Sequence, residues 1–198
     1  FGPAIVAVMV TAWAVATVLF ESARLVIHAP QAQVAVETMS GVCRLFGALV
    51  LVLVATGADR ERLRWTAAGL VVLALGNVGF GMLWQTAFGE PSANESMYAF
   101  LAVSTVSGGF FVAGLVPRRA PRLTTRAAIA GGALFGALCL VVVAAAGNLP
   151  RLVQIDTFEA AIAAGRVPLD GLTAWHWLLS ALPLLLAAAA AIGALRHA

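Results

Sequence analysis

Two ionisable side chains, Glu37 and Arg44, lie at the start of a long apolar stretch and inside it. A charged group within a membrane-spanning helix is costly and is a functional candidate for that reason. Their spacing puts both on nearly the same helix face, with Gly41 between them, but separates them by about 10 Å of helix rise. Arg44 is therefore expected to pair with another helix, for example through Glu21, or to bond to carbonyl groups. A structural ion pair, a snorkelling arginine and a ligand-binding or signal-transmitting role all stay open.

Three polar residues complete the set of candidate ligand-binding or signal-coupling positions: Asn77, Gln85 and His176. Asn77 lies in the middle of the third apolar stretch, and Gln85 lies two turns further along it. Amide groups in such places commonly join helices by hydrogen bonds, which is the alternative to a ligand-binding role. His176 opens the last apolar stretch. It could join His28 and a carboxylate in a metal site, or it could be an exposed interfacial histidine; we expect no metal and no cofactor.

Several chemistries are excluded or disfavoured by composition. All 12 basic residues are arginine, so neither a Schiff-base lysine nor a lysine-based catalytic site exists. Cys43 and Cys139 lack the C-x-x-C spacing of a disulfide exchanger, and we expect both to be buried small apolar residues. No complete catalytic constellation is present, so the chain is not expected to be an enzyme.

The elements that position these residues are six long apolar stretches. Hydrophobic residues make up 62% of the 198 residues and charged residues 11%, and the mean hydropathy is +0.97. A helix needs about 20 apolar residues to cross the ~30 Å hydrocarbon layer, and continuous apolar runs favour helices over a β-barrel. We predict an all-α polytopic integral membrane protein, a single domain over residues 1–198. The six predicted transmembrane helices cover roughly residues 2–20, 38–57, 67–88, 97–116, 127–147 and 175–195.

Arginine placement predicts the orientation and the partners. The breaks at 58–66 and 117–126 are rich in arginine, which places them and both termini in the cytoplasm. The same loops explain the isoelectric point of about 9.7, so no nucleic-acid partner is expected. The expected partners are the lipid bilayer, an unknown small ligand, and a second copy through the glycine-rich face at Gly132 and Gly136, which could equally serve packing within the bundle. The use of arginine and alanine indicates a GC-rich bacterial genome, hence a multi-pass protein of the bacterial plasma membrane.

The longest outer connection covers residues 148–174. Asp156 and Glu159 form a D-x-x-E capping-box pattern, and an apolar face follows it, made of Ile155, Phe158 and Ile162. We predict a short amphipathic helix over about 156–165, lying on the outer face of the membrane that the helices span. It serves either as a simple lid over the helix ends or as a ligand-contacting element.

A series of short segments resembles the membrane-associated sensor regions (MASE-type) of bacterial diguanylate cyclases and histidine kinases. The resemblance covers roughly residues 28–120 and rests on segments in a fixed order: Val36-Glu37-Thr38-Met39-Ser40, Arg62-Leu63, Leu73-Ala74-Leu75-Gly76-Asn77, and Gly114-Leu115-Val116-Pro117. It implies a sensory input module that passes an outer or intramembrane stimulus to a cytoplasmic output domain. Some members carry a histidine near the outer end of the third span, where this chain has Trp84 and Gln85. The chain begins at Phe1 and ends at Ala198, and we expect it to be a piece of a longer protein.

Two other functions fit parts of the sequence. Polar groups and glycine-rich helices also suit a small transporter or transporter subunit. Six spans with Ser107-Gly108 in the fourth and His176 at the sixth resemble the rhomboid intramembrane serine proteases. The G-x-S-G motif of that family is absent here, since Thr105 stands two residues before Ser107.

Overall fold

The fold is helical throughout the part of the chain that the structure describes. The structure is a computed structural model and describes residues 30–79, 93–117, 120–145, 148–165 and 169–196. Six α-helices form within these ranges: α1 (Pro30–Val54), α2 (Arg60–Val78), α3 (Ala93–Leu115), α4 (Thr125–Ala145), α5 (Ile155–Ala163) and α6 (Ala174–Leu195). No strand occurs among the described residues, and an isolated antiparallel bridge joins Val153 to Leu172. The prediction of an all-α fold is confirmed for this part of the chain.

The end of α1 and the start of α2 are set by a glycine turn and by ion pairs, and they differ from the boundaries that hydropathy predicts. α1 ends at Val54, before a 3₁₀ turn at Gly57–Asp59 that Gly57 enters with a φ of 61°, a conformation that favours glycine. α2 already begins at Arg60, inside the break predicted at 58–66. Two short-range ion pairs stabilise this first turn, joining Arg62 to Asp59 and Arg64 to Glu61 at 3.2 Å each. The predicted span at 2–20 lies outside the described residues.

Two helices of the described part are long and apolar enough to cross a membrane. They are Asn94–Leu115 and Ala174–Leu195, of 22 residues each. The first is 44% buried by its neighbours and the second only 17%. Shorter apolar helical segments cover Thr38–Val54 and Ile129–Cys139. Both long helices correspond closely to predicted spans, at 97–116 and 175–195.

Glycines set the close approach of α2 and α3, which run antiparallel. A Cβ at Gly76 would lie 2.6 Å from Val103 Cγ1, and one at Gly114 would lie 2.7 Å from Trp65 Cβ. Side chains of one helix therefore fill the space that these glycines leave open on the other. The core beside this contact consists of Val72, Val103, Val106 and Phe110.

α6 packs along α3 in parallel, with α4 against another side of α3. Gly108 of α3 faces Leu186, and Gly193 of α6 lies against the Leu115 backbone. The residue numbers differ by 78 in both contacts, so the two helices keep one register over the intervening turns. This shared register fixes which residues of α3 and α6 lie at the same depth.

Candidate functional site

Asn77 lies against α1 between the helix positions of Glu37 and Arg44. A Cβ at Gly41 would be 3.8 Å from Asn77 Cβ and 3.6 Å from the Ala74 carbonyl oxygen. Gly41 follows Glu37 by four residues and precedes Arg44 by three, so all three positions share one helix face. The structure thus brings three sequence-predicted candidates to one interface between α1 and α2.

Of the two charged residues at this interface, the structure describes the side chain of Arg44 but only the helix position of Glu37. The Arg44 side chain is half-buried, and no hydrogen bond or ion pair joins it to another of the described residues. Glu21 and Gln85 lie outside the described residues. The antiparallel register of α2 and α3 places the level of Arg44 near the middle of α3, well away from both helix ends.

Ser107 joins two helices. It is 1% exposed, and its hydroxyl donates to the Gly69 carbonyl oxygen at 3.0 Å. Hydroxyl groups commonly make such interhelical bonds in membrane bundles. The Ser107 hydroxyl therefore has a structural partner in α2 rather than a catalytic base.

His176 is separated from Ser107 along the bundle. The register of α3 and α6 puts His176 level with Tyr98, nine residues before Ser107 on the parallel helix. Nine residues correspond to about 14 Å of helix rise. The His176 ring instead has its Nε2 3.4 Å from Ser180 Oγ, while its buried Nδ1 has no hydrogen-bond partner. Since a nucleophile and its base must lie within hydrogen-bond reach, the two residues do not form a serine–histidine pair.

A cap covers the end of the bundle at which α3 begins and α6 begins. We define it as residues 148–165 and 169–172. Leu152 and Val153 are both 0% exposed. The Leu152 N–H donates to Asn94 Oδ1 at 2.7 Å, and the Tyr98 hydroxyl donates to the Pro150 carbonyl oxygen at 2.8 Å. The first turns of α3 thus hold one edge of the cap.

The other edge of the cap leads directly into α6. Thr173 N donates to the Leu152 carbonyl oxygen at 2.9 Å, and its hydroxyl donates to the Arg151 carbonyl oxygen at 2.7 Å. The same hydroxyl oxygen accepts from His176 N at 3.4 Å and so caps the N-terminus of α6. Thr173 therefore connects the cap to the helix by both its main chain and its side chain.

The amphipathic helix predicted in this connection is present, with a different start. α5 runs from Ile155 to Ala163 against a predicted 156–165, and Gly165 follows it at a φ of 68°. The capping-box prediction is wrong: Gln154 occupies the N-cap without a side-chain bond, and Asp156 lies inside the first turn. The bond from Gln154 N to the Gly171 carbonyl oxygen at 2.7 Å fixes the chain before the helix, so the helix begins earlier than the motif indicated.

Cys43, Cys139, Gly132 and Gly136 lie away from the tight contacts. Cys43 is exposed and Cys139 half-buried, so the prediction that both are buried inside the protein is wrong. Both belong to apolar helices whose outer faces have no neighbour among the residues that the structure describes. A Cβ at Gly132 or Gly136 would meet no atom within 4 Å, so this G-x-x-x-G pattern does not mediate packing among the described helices. In the described ranges, no group of three His, Cys, Asp or Glu residues could hold a metal ion.

Sequence reasoning missed Asn94 as an attachment point and Thr173 as a helix cap. Thr173 had a recognisable signal, because a threonine directly before an apolar run is a common N-cap. Asn94 had none, since its partner Leu152 lies 58 positions away in the chain. Comparisons with models of known protein families, with curated proteins and with solved structures gave no match.

Proposed function

We propose that this chain is the membrane-embedded input module of a bacterial signal-transduction protein. In this proposal six transmembrane helices cross the plasma membrane, with both termini and the arginine-rich loops in the cytoplasm. The cap then lies on the outer face. The observation that carries the proposal is the continuous connection from the cap through Thr173 into α6. This helix runs to the opposite end of the bundle, where the arginine-rich breaks at 58–66 and 117–126 lie.

Exposed apolar surface supports a membrane location. α6 has a mean hydropathy of 2.3 yet is only 17% buried, whereas an apolar helix in the core of a soluble protein is mostly covered by its neighbours. Phe46 on α1 and Leu185 on α6 are 66% and 68% exposed. Trp175 and Trp177 are exposed at the capped end of α6, as in the aromatic belts of membrane proteins.

The packing of α6 suits transmission along its axis. At one end of α6, Thr173 bonds to the cap. At the other end, Gly193 packs so closely against the last residue of α3 that a Cβ built on it would lie 2.5 Å from the Leu115 carbonyl oxygen. Pro183 lies within the helix, where a proline removes one backbone hydrogen bond and commonly permits a bend. A displacement of the cap would therefore shift α6 against α3.

A stimulus can drive such a shift only if it binds two helix arrangements with different affinity. The interface of Glu37, Arg44 and Asn77 is the place we propose for the small ligand or for signal coupling, with His176 at the head of α6 as a further coupling residue. A half-buried arginine level with the middle of α3, with no carboxylate partner among the described residues, is the feature that favours this interface. A second copy could associate through the open face at Gly132 and Gly136.

The test begins with the coding sequence that follows Ala198. An in-frame cyclase, kinase or similar output domain supports the proposal, and a stop codon directly after that position contradicts it. With the intact gene, we expect E37Q and R44Q to change the signalling output at unchanged membrane abundance, while R126Q, which alters an exposed arginine in the first turn of α4, leaves output unchanged. Normal output from both interface variants would show that the site is wrong. Substrate flux into proteoliposomes would favour the transporter alternative.

A further inference from the structure

A cavity of about 640 Å³ lies at the end of the bundle opposite the cap, where α2 and α4 begin. It lies between the turn that joins α1 to α2 and the segment that leads into α4. Its lining consists of Gly57, Ala58, Arg60, Glu61, Arg64, Arg122, Leu123 and Thr124. Three arginines and one glutamate therefore border the same space.

The carboxylate in this cavity is already engaged. Glu61 Oε1 accepts from Arg64 Nη1 at 3.2 Å, and Glu61 Oε2 accepts from the Leu123 N–H at 2.8 Å. Arg60 and Arg122 are exposed, and neither forms an ion pair with another described residue. The cavity thus has two guanidinium groups whose charge no carboxylate of the described part neutralises.

The walls of the cavity are joined by contacts that do not use these two arginines. The Leu123 N–H bond to Glu61 links the two segments, and the Trp65 Nε1–H donates to the Pro121 carbonyl oxygen at 2.8 Å. Thr124 Oγ1 accepts from Ala127 N at 3.2 Å at the start of α4. The main-chain positions of Arg60 and Arg122 are therefore held before any anion binds, so the ordering cost of binding is confined to their side chains.

We propose that this cavity binds a phosphate group, with Arg60 and Arg122 as its ligands. Guanidinium groups match phosphate oxygens in paired, charge-assisted hydrogen bonds. The phosphate can belong to an anionic lipid headgroup or to a soluble phosphate, since both present the same oxygens. The inference goes beyond the proposed sensory function and does not depend on which side of the membrane this end faces.

The experiment uses the full chain in nanodiscs, with two probes. Inorganic phosphate is titrated against protein in phosphatidylcholine nanodiscs, with the shift in melting temperature as the readout. In the second arm, phosphatidylglycerol retained by the protein from mixed phosphatidylcholine and phosphatidylglycerol nanodiscs is measured by native mass spectrometry. Saturable binding in the first arm identifies a soluble phosphate as a sufficient ligand, and retention in the second identifies a lipid headgroup; either supports the proposal.

The variants distinguish a site from diffuse charge. We expect the double variant R60Q/R122Q to bind at least about tenfold more weakly, because two charge-assisted hydrogen-bond donors are lost. R126Q removes an exposed arginine in the first turn of α4 that does not line the cavity, and we expect it to bind like the wild type. The melting temperature without probe verifies that each variant is folded. Equal weakening by R126Q, or no binding of either probe to the wild type, would overturn the proposal.

Discussion

Replacing Asn94 by alanine would test how the cap is attached to the bundle. Asn94 is 8% exposed and Leu152 0%, and the 2.7 Å bond between Asn94 Oδ1 and Leu152 N lies between them. The variant N94A leaves the Leu152 N–H buried without an acceptor, which costs about 1–3 kcal/mol. Since about 1.4 kcal/mol changes an equilibrium constant tenfold, the fraction of molecules with an open cap should rise by roughly 5- to 140-fold.

Hydrogen exchange followed by mass spectrometry measures this opening on the protein in nanodiscs. We expect faster exchange in the peptide that contains Leu152 and Val153, with α4 unchanged. N148A provides the matched control, because Asn148 is exposed and lies in the same cap. N94D keeps an acceptor near the start of α3, where the helix dipole favours a carboxylate, and should keep most of the protection. Equal exchange in N94A and N148A, or faster exchange of N94A throughout α4, would refute the attachment.

Two further substitutions test the helix contacts. We expect S107A to lower the free energy of unfolding by about 0.5–1.5 kcal/mol, because one interhelical hydrogen bond is lost. The control S96A, at an exposed position of the same helix, should change the free energy of unfolding little. Reaction of Ser107 with an active-site serine probe would contradict its structural role. We expect G76A to destabilise by about 1–3 kcal/mol, because the added methyl group would overlap a valine of α3. G109A should stabilise by up to about 1 kcal/mol, since its methyl group would meet open space and alanine favours the helix; equal effects of the two would refute the packing. Reversible unfolding in detergent measures all four.

Much of the helical architecture was predictable from the sequence. Continuous apolar runs gave the helices that the structure shows as α3, α4 and α6, because hydropathy and length act locally along the chain. The prediction of a short helix after residue 154 also needed only local periodicity. The start of α2 was missed, since its first turn is stabilised by ion pairs among residues that hydropathy assigns to a loop.

For the candidate site, the sequence predicted which residues take part but not which of them lie close together. The sequence indicated Glu37, Arg44 and Asn77 because charged and amide groups stand out in an apolar run. It could not show that Asn77 lies against Gly41, because the register between α1 and α2 depends on how their side chains interdigitate. Likewise, only the parallel register of α3 and α6 separated Ser107 from His176.

The sequence by itself determined that the chain forms apolar helices with arginine concentrated between them, since composition and periodicity act within single segments. The tertiary structure decided that Asn94 holds the cap and that Thr173 joins the cap to α6. It also decided that Arg60 and Arg122 share one cavity. These outcomes depend on contacts between distant segments, whose relative positions are fixed by close packing at glycines and by buried hydrogen bonds.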